Sequence, residues 1–358
     1  MSYKSSGTSG LPVRWRLLVA SGYLLVVAAV VTDLSTGPAS TLSPVLAAVP
    51  VLAAVGTRRA FVPLLAGAAA IAATLLLTFA NPDVSAMTHA TTAGTVFAIT
   101  LLSSANVAMI VRRESELVSV RTVAEACQRA LLRPVPTRVG SLKVAVRYLA
   151  ATAEARVGGD LYDVAHGSHG VRVLLGDVRG KGLAAVETAA DVLGVFREAA
   201  LVEPTLAEVA TRLDSALARR SANEEFVTAV LVDIPTSSDS AIVVNCGHPP
   251  PLMRGPHGVS ELRPPDNAPP LGLLGLVGSH YHAASFPFDD SELLLLYTDG
   301  ISEARNASGE FYPVAQRLAS FTASEPDTLL DQLIADVQAY TGGGLSDDAA
   351  LLAVQRQR

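Results

Sequence analysis

Four carboxylates, each set in a tight turn, are the reactive groups that stand out in this chain. They are Asp160 in Arg156-Val-Gly-Gly-Asp-Leu-Tyr-Asp163, Asp177 in Gly176-Asp-Val-Arg-Gly-Lys-Gly182, Asp299 in Thr298-Asp-Gly300, and Asp347 beside Asp348 in Ser346-Asp-Asp348. Two of them close apolar runs, Val-Leu-Leu-Gly before Asp177 and Leu-Leu-Leu-Leu-Tyr-Thr before Asp299, and Asp160 precedes Leu-Tyr-Asp. Each therefore sits where a strand should end, a place that holds a side chain rigidly while neighbouring glycines let the backbone approach an ion or a phosphate. Taken singly, any of these aspartates reads equally as a turn residue or helix cap.

Brought together by folding, two such carboxylates about 4 Å apart repel by roughly 4 kcal/mol at an effective dielectric of 20. Divalent cations remove that cost. Oxygen-only ligation selects Mg²⁺ or Mn²⁺, and several carboxylates suffice for two ions with one ligand bridging. Such a pair would acidify a water, align it with a phosphorus atom and neutralise phosphoryl oxygens, so no side-chain nucleophile is needed. The absence of a Gly-x-Ser-x-Gly elbow fits that chemistry.

The elements that must position these residues follow a long apolar region. Of the 358 residues, 50% are hydrophobic and the mean hydropathy is +0.38, a composition that points to membrane segments. Residues 1–112 carry only Asp33 and Asp83 as acids, whereas 113–358 hold the other 31 acids with 21 of the 27 Lys and Arg, a formal net charge of −10. An acidic body of that kind repels polyphosphate and argues against a nucleic-acid partner. Four apolar stretches, near Val13–Thr32, Ala39–Val55, Ala60–Ala80 and Thr91–Val111, each approach the roughly 20 residues of a membrane-spanning helix. Lys4, Arg14, Arg16, Arg58, Arg59, Arg112 and Arg113 flank them on one side only, which predicts cytoplasmic termini and a multi-pass plasma-membrane anchor.

Residues 113–136 form a linker. Its helix, Glu114–Leu132, bears an apolar seam of Leu117, Val120, Ala124, Cys127 and Leu131, which could pair two copies of the chain or pack on its own domain. Residues 137–358 read as a mixed domain. Its predicted strands are Leu142–Leu149, Val171–Leu175, Phe226–Ile234, Ala241–Asn245 and Glu292–Tyr297, and its predicted helices Leu183–Leu201, Leu206–Arg220 and Pro326–Tyr340. The Pro/Gly-rich run Gly247–Gly278 reads as a surface excursion, and strands joined without intervening helices favour antiparallel sheets. Cys127 and Cys246 lack metal-ligand or redox spacing and read as small buried hydrophobes, while His166/His169 and His280/His282 have no Cys partners to complete a zinc set.

Six motifs in order resemble the SpoIIE-type (RsbU-like) serine phosphatases of the PP2C superfamily. They are Val157-Gly-Gly-Asp-Leu-Tyr-Asp163, Gly176-Asp-Val-Arg-Gly-Lys-Gly182, Phe226-Val-Thr-Ala229, Cys246-Gly-His-Pro-Pro-Pro251, Leu295-Leu-Tyr-Thr-Asp-Gly-Ile-Ser-Glu-Ala-Arg305 and Asp347-Asp348, preceded by Gln128-Arg-Ala-Leu-Leu-Arg-Pro134. Arg156 stands where that family often has an acid. The resemblance implies an α+β fold, an αββα sandwich of two antiparallel sheets with two Mn²⁺ or Mg²⁺ ions at one edge; the apolar stretches place a four-helix transmembrane region before it. It implies Asp160, Asp177, Asp299 and Asp347 as ligands acting through metal-activated water, with the Val178 carbonyl adding a backbone oxygen. Gly159, Gly300 and Asp348 would stand behind them, and Lys181 would contact the phosphate or a switch helix. His248 reads as a turn residue rather than a general acid. The implied activity is hydrolysis of phosphoserine or phosphothreonine on a regulatory protein, commonly a STAS-type anti-sigma-factor antagonist. The other reading is a non-catalytic pseudophosphatase receptor that binds a partner protein.

Overall fold

The computed structural model describes residues 27–28, 31–33, 35, 42–150, 158–220, 225–266, 268–278 and 280–357. The chain divides into two compact units, Met1–Ser119 and Val120–Arg358. Most of the first predicted apolar stretch, Val13–Thr32, and Arg156 lie outside the described residues.

In the first unit, α1 (Ser43–Ala54) is a short apolar helix. Pro44 opens its 3₁₀ turn, and its length falls short of a bilayer crossing. α2 (Phe61–Ala80) and the apolar part of α3 (Ala86–Leu131) are long and apolar enough to cross. The described residues thus contain two candidate spans rather than four. Leu46, Val49, Ala53, Ala66, Ala70, Leu77 and Val96 pack together. Leu76, Phe79 and Leu102 point outward with 70% or more of their surface exposed, as side chains facing lipid would. Glu114–Leu132 is not a separate linker helix: α3 is continuous over 46 residues, because no Pro or Gly interrupts Thr95–Arg133.

The second unit is built on two antiparallel sheets. Chain order gives β1 (Arg138–Val139), β2 (Leu142–Leu149), β3 (Asp160–Gly167) and β4 (Gly170–Val178), then α4 (Leu183–Val202) and α5 (Leu206–Arg220). β5 (Val227–Pro235), β6 (Ser240–Cys246), β7 (Leu252–Gly255) and β8 (Gly258–Glu261) follow, then α6 (Leu274–Val277), β9 (Ala284–Pro287) and β10 (Leu293–Tyr297). α7 (Asp299–Ser302), α8 (Val314–Ser320), α9 (Pro326–Thr341) and β11 (Ala349–Arg356) complete it. One sheet runs β1-β2-β11-β10-β7-β8 and the other β3-β4-β5-β6-β9.

The apolar runs of the strands have a physical cause, because each central strand is covered on both faces. In β5, Val227, Ala229 and Leu231 pack toward α4 and α5, whereas Val230, Val232 and Ile234 fill the space between the sheets. In β11, Ala350, Leu352 and Val354 face the other sheet, and Ala349, Leu351 and Ala353 meet α8 and α9. Helices on the outside and two sheets inside make the αββα order. The three core layers stabilise it at about 1.5–3 kcal/mol per large buried side chain.

Local signals set the helix ends. α5 opens on a capping box in which Thr205 N–H donates to Glu208 at 2.9 Å and Glu208 N–H to Thr205 Oγ1 at 3.3 Å. α9 has Pro326 in its first turn and ends on Gly342 at φ 77°.

The Gly247–Gly278 run is not wholly a surface excursion: Leu252 and Met253 are buried in β7, which pairs with β10, because their alternation is too short to register against the surrounding prolines. Cys246 is buried but Cys127 is exposed, since the apolar seam of α3 meets its domain through Ala124 and Leu131 against Val186.

Candidate metal centre

Asp160 opens β3 and Asp177 lies one residue before the end of β4, and the register makes them direct cross-strand partners. Asp299 is the first residue of α7, delivered by β10 of the other sheet, and Asp347 and Asp348 immediately precede β11. Both sheets therefore contribute to one cleft of about 320 Å³ whose lining includes all five carboxylates, Val178 and Lys181.

Close backbone approach explains two glycines here. A Cβ on Gly159 would lie 2.4 Å from the Val178 carbonyl oxygen, and one on Gly300 would lie 1.9 Å from that of Asp348. Only a residue without a side chain lets β3 close on β4, or α7 on the Asp347-Asp348 turn.

Hydrogen bonds orient the acids. Thr298, fully buried, donates its hydroxyl to Asp160 Oδ2 at 2.8 Å and accepts the Ala350 N–H at 2.9 Å, so it is locked in place. Asp348 Oδ2 accepts from Tyr148 Oη at 2.7 Å and from the Gly158 N–H at 2.8 Å. Asp347 Oδ1 accepts from Lys181 Nζ at 2.6 Å and from the Asp348 N–H at 2.9 Å.

The electrostatics record crowding. Burial, then the Asp177 charge, push the Asp160 carboxyl well above the usual range, against the Thr298 hydrogen bond. Asp177 is raised to about 7 by burial and by Asp299 and Asp347, and Asp299 rises through burial and the charges of Glu303 and Asp347. Among the described residues no three acidic, His or Cys side chains already form a coordinating cluster. Lys181 occupies Asp347, and the remaining acids repel one another. The donor chemistry nonetheless fits a hard divalent cation: the acceptors are carboxylates and backbone oxygens, and their mutual destabilisation is of the kind an ion relieves.

His248 stands outside this cleft lining. Its backbone N–H donates to Asn245 Oδ1 at 2.8 Å, its Nδ1 lies 3.1 Å from Thr228 Oγ1, and burial brings its pKa down to about 3. It is a neutral turn residue. Thr298, Tyr148 and Gln128 are residues for which the sequence alone suggested no role. Thr298 and Gln128 fall inside motifs already singled out, whereas Tyr148 carries no signal beyond its strand pattern.

Residues 167–357 match the family model of Stage II sporulation protein E (SpoIIE). The match begins after Asp160 and contains Asp177, Asp299, Asp347 and Asp348. The RsbU and RsbW domains of Rv1364c from Mycobacterium tuberculosis superpose with a TM-score of 0.52 at 25% identity over 60% of each chain. The SiaA-PP2C domain of Pseudomonas aeruginosa superposes at 0.57, with 18% identity over 69% of this chain and 99% of that one. The PP2C phosphatase domain of SpoIIE from Bacillus subtilis superposes at 0.51, with 17% identity over 60% and 63% of the two chains. Protein IcfG of Synechocystis is 27% identical over 134 residues, 37% of this chain and 21% of that protein, so the match spans about a fifth of that relative's length. A family model covering more than half of the chain, on a two-sheet body shared with the PP2C domains, makes this protein a member of the SpoIIE family.

Proposed function

We propose that this chain is a membrane-anchored protein serine/threonine phosphatase that depends on two Mn²⁺ or Mg²⁺ ions and acts on a phosphorylated regulatory protein. One observation carries the reading: carboxylates from both sheets line one cleft, where burial and then their neighbours' charges raise the pKa of Asp160 and Asp177. Asp160, Asp177, Asp299 and Asp347, with the Val178 carbonyl, would hold the ions. Bound there, divalent cations supply charge neutralisation and an acidified water for attack on a phosphate monoester. Thr298 fixes the Asp160 carboxylate, Gly159 and Gly300 admit the backbone approaches, and Lys181 at the cleft wall is placed to meet a phosphate oxygen once Asp347 is otherwise engaged.

Similarity supports the substrate class. The matched RsbU domain occurs in one protein with an RsbW domain, which supports a STAS-type anti-sigma-factor antagonist as the phosphoprotein. Two apolar helices support anchoring, and the Lys and Arg placement supports a cytoplasmic catalytic unit.

A second reading, a pseudophosphatase that binds a partner without catalysis, draws on the Lys181–Asp347 pair, which an ion must displace. The 358-residue chain in detergent, given a phosphoserine protein, separates the two. Phosphate release that requires Mn²⁺ or Mg²⁺ and is lost in Asp299→Asn supports the enzyme. Partner binding that is indifferent to cations, with no phosphate released, supports the receptor and ends the catalytic reading.

A further inference from the structure

Gln128, in the last turn of α3, is only 7% exposed although it bears a carboxamide. Its Nε2 donates to Tyr148 Oη at 2.8 Å and to the Gly158 carbonyl at 3.3 Å, and it lies 3.5 Å from the Asp160 carbonyl. Since Tyr148 accepts from Gln128, its own proton is directed to Asp348 Oδ2, 2.7 Å away. The same Asp348 oxygen accepts the Gly158 N–H. The donors thus run in one direction, from carboxamide to phenol to carboxylate, and the carboxylate closes the circuit on the backbone two residues before Asp160. A buried carboxamide or phenol without a partner is destabilising, so the set is self-consistent only when every member is in place.

We infer that Tyr148, oriented by Gln128, is a positioning residue for the cation cleft: it holds Asp348 on the Gly158 amide and so sets the start of β3 that presents Asp160. The inference rests on the cation reading of the cleft given above, and it assigns the Tyr148 hydroxyl a task that packing alone does not require. The ring of Tyr148 already packs against the inter-sheet core, so Tyr148→Phe keeps the packing and removes only the relay. Outer partners of metal ligands typically change metal affinity by about 10–100-fold when lost.

The test uses the 358-residue chain in detergent, stripped of cations, with Tyr148→Phe, Gln128→Leu, their double variant, and Tyr162→Phe as a neighbouring phenol outside the relay. Two quantities are read: the Mn²⁺ dissociation constant by calorimetry, and amide exchange of residues 158–160 without cation. Tyr148→Phe should weaken Mn²⁺ binding by roughly tenfold or more and speed exchange at Gly158. Gln128→Leu should act in the same direction, the double variant no further than Tyr148→Phe, and Tyr162→Phe should change neither. Additive losses, or affinity within about twofold of the parent with unchanged exchange at Gly158, would overturn the assignment. If the parent itself does not bind Mn²⁺, the cation reading fails, and with it the role at a cation cleft, while exchange at Gly158 still shows whether the hydrogen-bond relay exists. Circular dichroism identifies a variant that has not folded, in which case the other single variant decides.

Discussion

Asp160 and Asp177 face each other as cross-strand partners of β3 and β4, two acids at the one position in the ladder where like charges meet most directly. Directly opposed like charges destabilise a sheet. Asp160 is also buried and Asp177 half-buried, and the fold keeps the pair in the cleft lining instead of replacing it with an apolar pair. A sheet built for stability alone would not place them there.

Asp177→Asn is therefore expected to separate stability from activity. Removing one charge should raise the melting temperature of the cation-free protein, while phosphate release should fall by roughly 10²-fold or more, the scale of losing one preorganised electrostatic group. Calorimetric melting with chelator and a phosphate-release assay with Mn²⁺ check the two halves.

The pH dependence has a defined sign. Asp177 is raised from the usual range near 4 to about 7 in the folded, cation-free protein. A group with a raised folded pKa contributes stability that is full below its unfolded pKa and is lost as pH rises through the folded value. The cation-free protein should lose stability between about pH 4 and pH 7. Over the same window Mn²⁺ should bind more tightly with rising pH and release protons. Melting curves and proton-release calorimetry across the window measure both.

Lys181 pairs with Asp347 at 2.6 Å, both side chains being more than a third exposed. Exposed pairs are worth about 0.2–1 kcal/mol, so Lys181→Met should tighten Mn²⁺ binding by at most about fivefold. If the ammonium then serves the phosphate, KM for the phosphoprotein should rise in the same variant. Metal titration and steady-state kinetics on one preparation read both effects.

Gly300→Ala tests the closure of α7 on the Asp347-Asp348 turn. Its Cβ would fall 1.9 Å from the Asp348 carbonyl, a backbone atom that cannot rotate away. A loss of about 3 kcal/mol, seen as a lower denaturation midpoint, is expected, with weakened Mn²⁺ binding because the turn carries Asp347.

Arg172 is 1% exposed, pairs with Asp233 at 3.1 Å and donates to the carbonyls of Ala200, Glu203 and Pro204 at the end of α4. Arg172→Met leaves Asp233 buried without its charge partner, which typically costs about 3–5 kcal/mol. Denaturant unfolding should show the loss, and Arg172→Met/Asp233→Leu should recover much of it.

Local sequence pattern specifies the types of the chemical groups and most of the scaffold. β2 spans Leu142–Leu149 and α5 spans Leu206–Arg220 as their patterns indicate, because apolar periodicity and end residues are local properties. The strands hardest to read were β3, whose polar start carries Asp160, and β7, enclosed by prolines; neither shows a clean period. Tertiary structure decided three things that no local pattern contains. It set Asp160 opposite Asp177 through strand register, brought Asp299 and Asp347 from the other sheet to the same cleft, and carried Gln128 of α3 to Tyr148 of β2. These are contacts between residues far apart in the chain, and they form only when two sheets bury their shared core. Composition can supply carboxylates, a phenol and a carboxamide, but only packing determines which of them meet.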